Sequence, residues 1–308
     1  MNEIKKIAEI IELWKADKKR YVKKSTFSAY LLLIENHLKP SFGEMLQLNE
    51  TDVQTFVFQK LNEGLSQKSV KDILIVLKMA MKFGAKYQWT EYRPFDIQYP
   101  TEREKSSIEV LSRTDQKKIM NHVQQHFTFR NLGIYVCLSA GIRIGEICAL
   151  TWDDIDTDQG IIHVRRTIQR IYTIDGDERK TELLIDTPKT KNSIREIPIN
   201  RDLLKMLKPM KKIVNSKFYV LTNDLKPTEP RTYRSYYQKF MKELNMPLLK
   251  FHGLRHSFAT RCIESKCDYK TVSVILGHSN ISTTLNLYVH PNMEQKKRCI
   301  DQMFKSIR

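Results

Sequence analysis

The sequence predicts a mainly α-helical protein with a small antiparallel β-sheet, in which an N-terminal helical domain precedes a mixed α+β domain. Apolar residues recur at helical spacing through most of residues 1–97, the pattern of helices that bury one face. Residues 98–107 are polar and contain a proline, which is typical of a linker. Residues 161–199 are the stretch richest in alternating β-branched side chains. The small sheet is therefore expected within the second domain, residues 108–308.

Four helices are expected in the N-terminal domain, because four amphipathic segments alternate with capping and helix-breaking residues. The first helix is expected over residues 4–19 and the second from Ser25 to Pro40. The third is expected from Asn49 or Thr51 to Gly64, and the fourth from Ser66 to near Phe83. Their apolar stripes would bury one another in a compact helical unit that ends near Asp96.

The second domain is expected to open with a helix capped by Ser112 or Thr114 and to continue with a buried helix around Leu132–Leu138. Asp175-Gly176 has the composition of a hairpin turn. The expected strands cover residues 161–172, 183–185 and 195–199, and the later helices cover residues 203–210, 231–244 and 293–307.

The composition describes a basic globular protein. Of its 308 residues 41% are hydrophobic and 28% are charged, and the formal net charge of +17 indicates a polyanionic partner, with nucleic acid the first choice. The five cysteines include no Cys-x-x-Cys pair, which argues against a zinc site and a disulfide framework. The sequence has neither an 18-residue apolar run nor the apolar core of a signal peptide, so we expect a cytoplasmic protein with no membrane association.

The clearest chemical pattern lies in the last sixty residues. His252 and Arg255 stand three apart, and on a helix they would project from one face and bind one anion together. Arginine offers a planar fork of donors to phosphate oxygens, and histidine can donate a hydrogen bond or move a proton. Tyr288 is a candidate nucleophile, because tyrosine is among the side chains that form covalent intermediates. Singly each residue is more often solvated or part of a core, but together they predict a phosphate-binding pocket.

Two earlier segments contribute polar groups to this hypothesis. Arg143 and Glu146 stand three apart among apolar residues, where burial requires that they be paired; an ion pair that serves only stability is the alternative. The loop Pro188–Ser193 contains Lys189 and Lys191. A lysine there is either a solvated loop charge or a proton donor that reaches a bound phosphate.

In order and spacing, these segments resemble the tyrosine recombinases of the phage-integrase class. The resemblance covers residues from about Leu111 to Tyr288 and, more weakly, the N-terminal helices. The matching segments are Gly141–Glu146 for the first-arginine motif, Pro188–Lys191 for the β-hairpin lysine, His252–His256 for the His-x-x-Arg motif, Leu276–His278 for the Leu-Gly-His motif, and Tyr288 for the nucleophile.

The resemblance implies that Tyr288 attacks a scissile DNA phosphate, leaving a 3′-phosphotyrosyl bond and a free 5′-hydroxyl. Arg143, Arg255 and His278 would stabilise the negative charge that builds on the phosphate oxygens. His252 would assist as a hydrogen-bond partner or proton carrier.

Lys189 would protonate the leaving 5′-oxygen, although Lys191 is the alternative for this role. Glu146 would support Arg143 without touching DNA. The family chemistry needs no metal and no nucleotide cofactor, because the phosphotyrosine retains the energy of the broken phosphodiester.

The implied architecture is a C-shaped clamp on double-stranded DNA, with a SAM-like core-binding domain over residues 1–97 and a catalytic domain over residues 108–308. Recombination of two sites implies a tetramer on DNA, in which the helix at about 293–307 docks on a neighbouring subunit. Accessory DNA-bending or directionality proteins would be further partners. The residues expected to contact DNA are Lys68, Lys71, Lys191 and Arg195.

Two other functions remain open from the sequence. A type IB-like DNA topoisomerase uses a similar pocket to nick and reseal one strand. A non-catalytic DNA-binding protein could retain the fold as an architectural module. The presence of every pocket residue, from Arg143 to Tyr288, favours the recombinase over the second alternative.

Overall fold

The computed structural model describes residues 3–101, 109–175, 178–187, 191–288 and 293–307. The chain forms two compact units: Met1–Lys105 with Arg170–Leu184, and Ser106–Gln169 with Ile185–Arg308. The sequence did not predict that residues 170–184 group with the N-terminal helices, and the proposed linker at 98–107 stays a prediction. Within the described ranges, no helix is both long enough and apolar enough to cross a membrane.

The first unit is mainly helical, as predicted. Its helical elements are α1 (Ile7–Lys18), α2 (Lys24–Leu33), a π-helical turn (Ile34–Leu38), α3 (Lys39–Phe42), α4 (Glu50–Asn62) and α5 (Gln67–Lys86).

Two predicted helix starts in this unit are confirmed. The side chain of Asn49 accepts a hydrogen bond from Asp52 N (2.9 Å), and the Asp52 carboxylate accepts one from Asn49 N (3.1 Å), so α4 begins with a capping box. Ser66 Oγ accepts a hydrogen bond from Ser69 N (3.1 Å) at the start of α5. These contacts satisfy backbone N–H groups that have no partner inside the helix.

The second predicted helix is wrong at both ends. Its N-cap is Lys23, so Ser25 lies inside α2, where its side chain is buried instead of capping the helix. Pro40 does not end the helical segment, because it occupies the first turn of α3, directly after the π-helical turn.

The second unit contains most of the remaining elements. In chain order these are α6 (Arg113–Gln125), α7 (Phe129–Ala140), α8 (Ile144–Ala149), β1 (Ile155–Asp156), β2 (Ile161–Val164), β3 (Thr167–Asp175), β4 (Glu178–Asp186), β5 (Arg195–Pro198), α9 (Arg201–Lys211), α10 (Pro230–Glu243), α11 (His252–Glu264), α12 (Tyr269–Leu276), α13 (Ile281–Tyr288) and α14 (Met293–Ser306). The parts of β3 and β4 within residues 170–184 belong to the first unit.

The strands form two small sheets. Strands β1, β2 and β5 form an antiparallel sheet in that order, in which Ile162 pairs with Ile197 and both side chains are buried. Strands β3 and β4 form a separate two-stranded sheet. The predicted strand over residues 161–172 is therefore divided between two sheets, and its predicted turn at Gly176 lies outside the described residues.

Helix α7 is the centre of the second unit's core and one wall of the site described below. Leu132, Ile134 and Val136 are fully buried, and α11 packs against this helix. A smaller cluster of Ala259, Val272, Leu276 and Tyr288 joins α11, α12 and α13. The core around α7 and this smaller cluster hold the C-terminal ends of α7 and α12 in place.

Helix α14 confirms the predicted C-terminal helix, and its apolar side chains are exposed. Ile300 is 56% exposed and Phe304 is 55% exposed. An amphipathic helix whose apolar residues face solvent has not buried its hydrophobic face within the described part of this chain.

The helical core of the first unit can be tested with two isoleucines of α5. Ile73 is fully buried and Ile75 is 53% exposed. We expect Ile73→Ala to lower the free energy of unfolding by about 2–5 kcal/mol, because it removes buried methyl groups and leaves a cavity. Ile75→Ala should change it by less than about 0.5 kcal/mol. Denaturant unfolding measures both, and equal losses would contradict the assigned packing.

Candidate active site

Two helices that contribute to the candidate site end at glycines. Gly141 follows α7 with φ 63°, and Gly277 follows α12 with φ 67°, so both lie in the left-handed region where a side chain is strained. A Cβ on Gly277 would lie 2.8 Å from Asn192 O, and one on Gly141 would lie 2.6 Å from Phe258 Cδ1. Helix C-termini present carbonyl oxygens without intrahelical partners, and these groups favour cations.

Arg255 donates hydrogen bonds to carbonyl oxygens at both of these helix ends. It lies in the first turn of α11 with a side chain that is fully buried, and its Nη1 and Nη2 donate hydrogen bonds to Gly141 O (2.8 Å) and Leu276 O (2.6 Å). Burial, and then the charges of Arg143 and Arg195, lower the pKa of Arg255, but a guanidinium starts so high that it stays charged at neutral pH. Its buried Nε has no hydrogen-bond partner among the described residues, so one donor remains available.

Arg143 is held at the start of α8, where it is the N-cap residue. Its backbone N–H donates to Glu146 Oε2 (2.9 Å), its Nη1 to Glu146 Oε1 (2.8 Å) and its Nη2 to Gly277 O (3.0 Å). A third of its side chain is nevertheless exposed. The guanidinium is therefore fixed in direction while part of it can still meet a ligand.

Glu146 forms a buried ion pair with Arg195. Arg195 Nη1 and Nη2 lie 3.0 Å and 2.9 Å from the two carboxylate oxygens, and both side chains are at most 4% exposed. Arg195 Nε also donates to Ile275 O (2.6 Å). Burial alone would raise the pKa of Glu146, but the hydrogen bonds and charges of Arg195 and Arg143 lower it below its ordinary value.

The position of Arg195 corrects a sequence prediction. Arg195 was expected to contact DNA, yet its guanidinium is occupied by Glu146 and by the backbone of α12, away from solvent. A buried arginine with a bidentate carboxylate partner cannot release its donors to a phosphate without leaving a buried charge unpaired. Arg195 instead positions Glu146, and through it Arg143.

His278 follows Gly277 and is oriented by a neighbouring threonine. Its Nδ1 lies 2.8 Å from the Oγ1 of Thr284, which is fully buried. Burial, together with the charges of Arg255 and Arg143, lowers the pKa of His278 to about 4. The ring is therefore neutral at neutral pH, and its second nitrogen is left for a ligand.

His252 is the first residue of α11 and is exposed. Its ring lies at 90° to that of His256, with 4.6 Å between the centroids. Desolvation by neighbouring atoms, followed by the charges of His256, Arg255 and Arg143, lowers the pKa of His252. The ring of His252 is therefore neutral at neutral pH and is available to a ligand.

Tyr288 is the last residue of α13, and only 9% of it is exposed. Burial raises its pKa to about 12, although the nearby charge of Arg255 acts in the opposite direction. Its hydroxyl oxygen lies 2.5 Å from Nδ1 of His256. Sequence reasoning did not assign a role to His256, and the available signal was its position one turn after His252 on the same helix face.

The structure thus brings five predicted residues to the adjoining ends of α7, α11, α12 and α13: Arg143, His252, Arg255, His278 and Tyr288. Lys189 lies outside the described residues, as does the side chain of Lys191. Lys68 and Lys71 are exposed on α5, and Lys71 Nζ lies 4.6 Å from the centroid of the Tyr99 ring. A DNA contact by either lysine stays a prediction.

The Glu146 ion pair provides a stability test. Glu146→Gln should lower the free energy of unfolding by about 3–5 kcal/mol at neutral pH, because it leaves a buried arginine without a counter-charge. Since the folded-state pKa of Glu146 is lowered, its contribution is present above the unfolded pKa and is lost as pH falls through the folded pKa. The difference between wild type and variant should therefore shrink below about pH 4.

Glu264→Gln is the matched control for this test. Glu264 also contacts two arginines, Arg113 (2.8 Å) and Arg261 (2.9 Å), but 36% of its side chain is exposed. The control should cost about 0–1 kcal/mol, as solvent-exposed ion pairs do. Equal effects of the two substitutions in denaturant titrations would contradict a structural role for the buried pair.

Comparison with known proteins identifies the family. The profile of the phage integrase family matches residues 109–295, and that of the phage integrase N-terminal SAM-like domain matches residues 6–58. The chain is 29% identical to a protein named "Tyrosine recombinase XerC-like" from Caldanaerobacter subterraneus subsp. tengcongensis, over 96% of this chain and 82% of that protein. It is 25% identical to the ICEBs1 integrase of Bacillus subtilis, over 88% of this chain and 75% of that one.

Solved structures show the same fold. The Tn1549 transposon integrase in complex with transposon right end DNA aligns with a TM-score of 0.79 at 21% identity, over 97% of this chain and 99% of that one. The lambda integrase tetramer bound to a Holliday junction aligns with a TM-score of 0.68 at 16% identity, over 95% and 80% of the two chains. Since the family profile also spans more than half of the sequence, this protein belongs to the phage integrase family, whose tyrosine recombinases cleave and rejoin DNA.

Proposed function

We propose that this protein is a site-specific DNA recombinase that cuts and rejoins DNA strands through a 3′-phosphotyrosyl intermediate on Tyr288. The observation that carries the proposal is the buried guanidinium of Arg255, which two helix-end carbonyl oxygens hold in place. Its Nε has no hydrogen-bond partner among the described residues, and its charge lowers the pKa of Tyr288 against the larger effect of burial. Its family membership supports the same reaction.

The arginines and histidines would stabilise the transition state of strand cleavage. As Tyr288 attacks phosphorus, negative charge grows on the two non-bridging phosphate oxygens. Arg143 and Arg255 are charged donors held in place before the substrate arrives, so little reorganisation is needed when that charge appears. Neutral His278 and His252 add hydrogen bonds without adding repulsion between cations.

The leaving 5′-oxygen needs a proton donor, and we assign this role to Lys189, with Lys191 as the alternative. Proton donation to the leaving group lowers the barrier to breaking the phosphorus–oxygen bond. The phosphotyrosyl bond conserves the energy of the phosphodiester, so rejoining requires only attack by a 5′-hydroxyl and return of the protons. The reaction as proposed consumes no nucleotide cofactor.

The proposed substrate is double-stranded DNA that carries a recombination site. The net charge of +17 supports electrostatic attraction to such a polyanion. Two sites would require four subunits, and the exposed apolar residues of α14 support the proposal that this helix docks on a neighbouring subunit. Accessory DNA-bending or directionality proteins complete the proposed assembly, and the clamp arrangement stays a prediction.

Covalent trapping tests the proposed chemistry. We expect wild-type protein, incubated with nicked suicide duplexes made from the DNA that flanks its gene, to form a protein–DNA adduct on a denaturing gel in the presence of a chelator. The nick lets the short 5′-hydroxyl fragment diffuse away, so the phosphotyrosyl bond accumulates. Tyr288→Phe should abolish the adduct, because it removes the attacking oxygen.

Tyr269→Phe is the matched control, because Tyr269 is exposed on α12 and should leave adduct formation unchanged. Gel-shift titration should show that Tyr288→Phe still binds the same duplex. Specific binding by wild-type protein without any adduct would contradict the proposed reaction, and relaxation of plasmid DNA that lacks the site would indicate a topoisomerase instead.

A further inference from the structure

One histidine beside the reacting groups has no role in the reaction as set out above. His256 lies on α11 directly after Arg255, is half-buried, and packs edge-to-face against His252. The arginine reaches the carbonyl oxygens of Gly141 and Leu276 from this helix, so the position of the His256 backbone is fixed by the same contacts.

The ring of His256 meets the hydroxyl group that would act as nucleophile. Its Nδ1 lies 2.5 Å from Tyr288 Oη, and the two ring centroids are 5.6 Å apart at 55°. The pair joins α11 to the last residue of α13, across a sequence separation of 32 residues. A nitrogen base within hydrogen-bond distance of a hydroxyl or thiol group is the arrangement that activates serine and cysteine nucleophiles.

The surroundings of the pair set the protonation states of both groups before the reaction. The described titratable and charged groups that face His256 are His252 and Arg255 on its own helix and Tyr288 on α13. Burial, followed by the charge of Arg255, lowers the pKa of His256, so its ring is neutral at neutral pH and Nδ1 can accept a proton. Burial raises the pKa of Tyr288 to about 12, so the phenol keeps its proton until an acceptor takes it.

The other two histidines are less suited to this task. Nδ1 of His278 already contacts Thr284 Oγ1 (2.8 Å), which leaves its second nitrogen for the phosphate. His252 is exposed at the first residue of α11 and contacts His256 through its ring. His256 is the histidine whose ring nitrogen contacts the Tyr288 hydroxyl among the described residues.

We propose that His256 is the catalytic base that accepts the proton of Tyr288 during strand cleavage. The inference rests on the proposed function. The Oη–H bond breaks and an Nδ1–H bond forms as Oη attacks phosphorus; the phosphorus–O5′ bond breaks, and the 5′-oxygen takes a proton from Lys189. On rejoining, the 5′-hydroxyl returns its proton to the lysine, and His256 returns its proton to Tyr288 as the phosphotyrosyl bond breaks.

The test measures single-turnover cleavage of the suicide duplex against pH for wild type and His256→Gln. Glutamine keeps polarity and approximate size but cannot take the proton. We expect a loss of about 10²–10⁴-fold at neutral pH, the usual contribution of a general base. The loss should become smaller as pH rises towards the pKa of the tyrosine, because hydroxide then supplies the missing base. DNA affinity should stay unchanged.

Two further measurements separate a base from a residue that only packs against Tyr288. A fluorinated tyrosine of lower pKa at position 288 should restore cleavage by the His256→Gln variant. A duplex with a 5′-bridging sulfur, whose leaving thiolate needs no proton, should restore cleavage by Lys189→Ala but not by His256→Gln. His126→Gln, which changes an exposed histidine of the same unit, is the matched control and should behave as wild type.

The outcomes separate the inference from the proposed function. If wild type forms the adduct and His256→Gln cleaves equally fast, the inference is overturned while the proposed function stands. An equal loss at every pH, without rescue by the fluorinated tyrosine, also overturns it and assigns His256 a packing role. If wild type binds its site but forms no adduct, the proposed function fails, and the assignment of His256 fails with it.

Discussion

The candidate site depends on keeping three arginines close together in a largely buried space. Burial disfavours the charged form of Arg255, and the nearby charges of Arg143 and Arg195 act in the same direction. Glu146 offsets this by binding two of them, and carbonyl oxygens at the ends of α7 and α12 bind the third. The glycines that end those helices matter for this reason, since their left-handed backbone turns the chain where the carbonyl groups are needed.

The same concentration of positive charge sets the protonation of its neighbours. Burial and the arginine charges hold the pKa values of His252, His256 and His278 below their usual range, while burial keeps Tyr288 protonated. A phosphate would therefore enter a pocket of fixed cations and neutral hydrogen-bonding rings. Such a pocket can stabilise an anionic transition state and still contain a base that is free to accept a proton.

The sequence predicted helix caps correctly where the cap depends only on residues that are close in sequence. Asn49 and Ser66 cap helices because each side chain needs only the N–H group three residues later. Ser25 and Pro40 were misread, because packing in the first unit lets the helix start earlier and continue through a π-helical turn. The spacing of apolar residues also gave no indication that residues 170–184 group with the N-terminal helices.

By itself, the sequence determined the mainly helical class and the basic character, and it predicted the candidate site residues, because residue type and spacing encode these directly. Only the tertiary structure decided how those residues are used. Arg195 meets Glu146 across 49 positions, and His256 meets Tyr288 across 32. Contacts between residues so far apart in sequence depend on how the helices and strands pack, and one local pattern is compatible with several packings. The sequence alone therefore does not distinguish a buried arginine from a surface arginine, because only the fold brings a carboxylate to one of them.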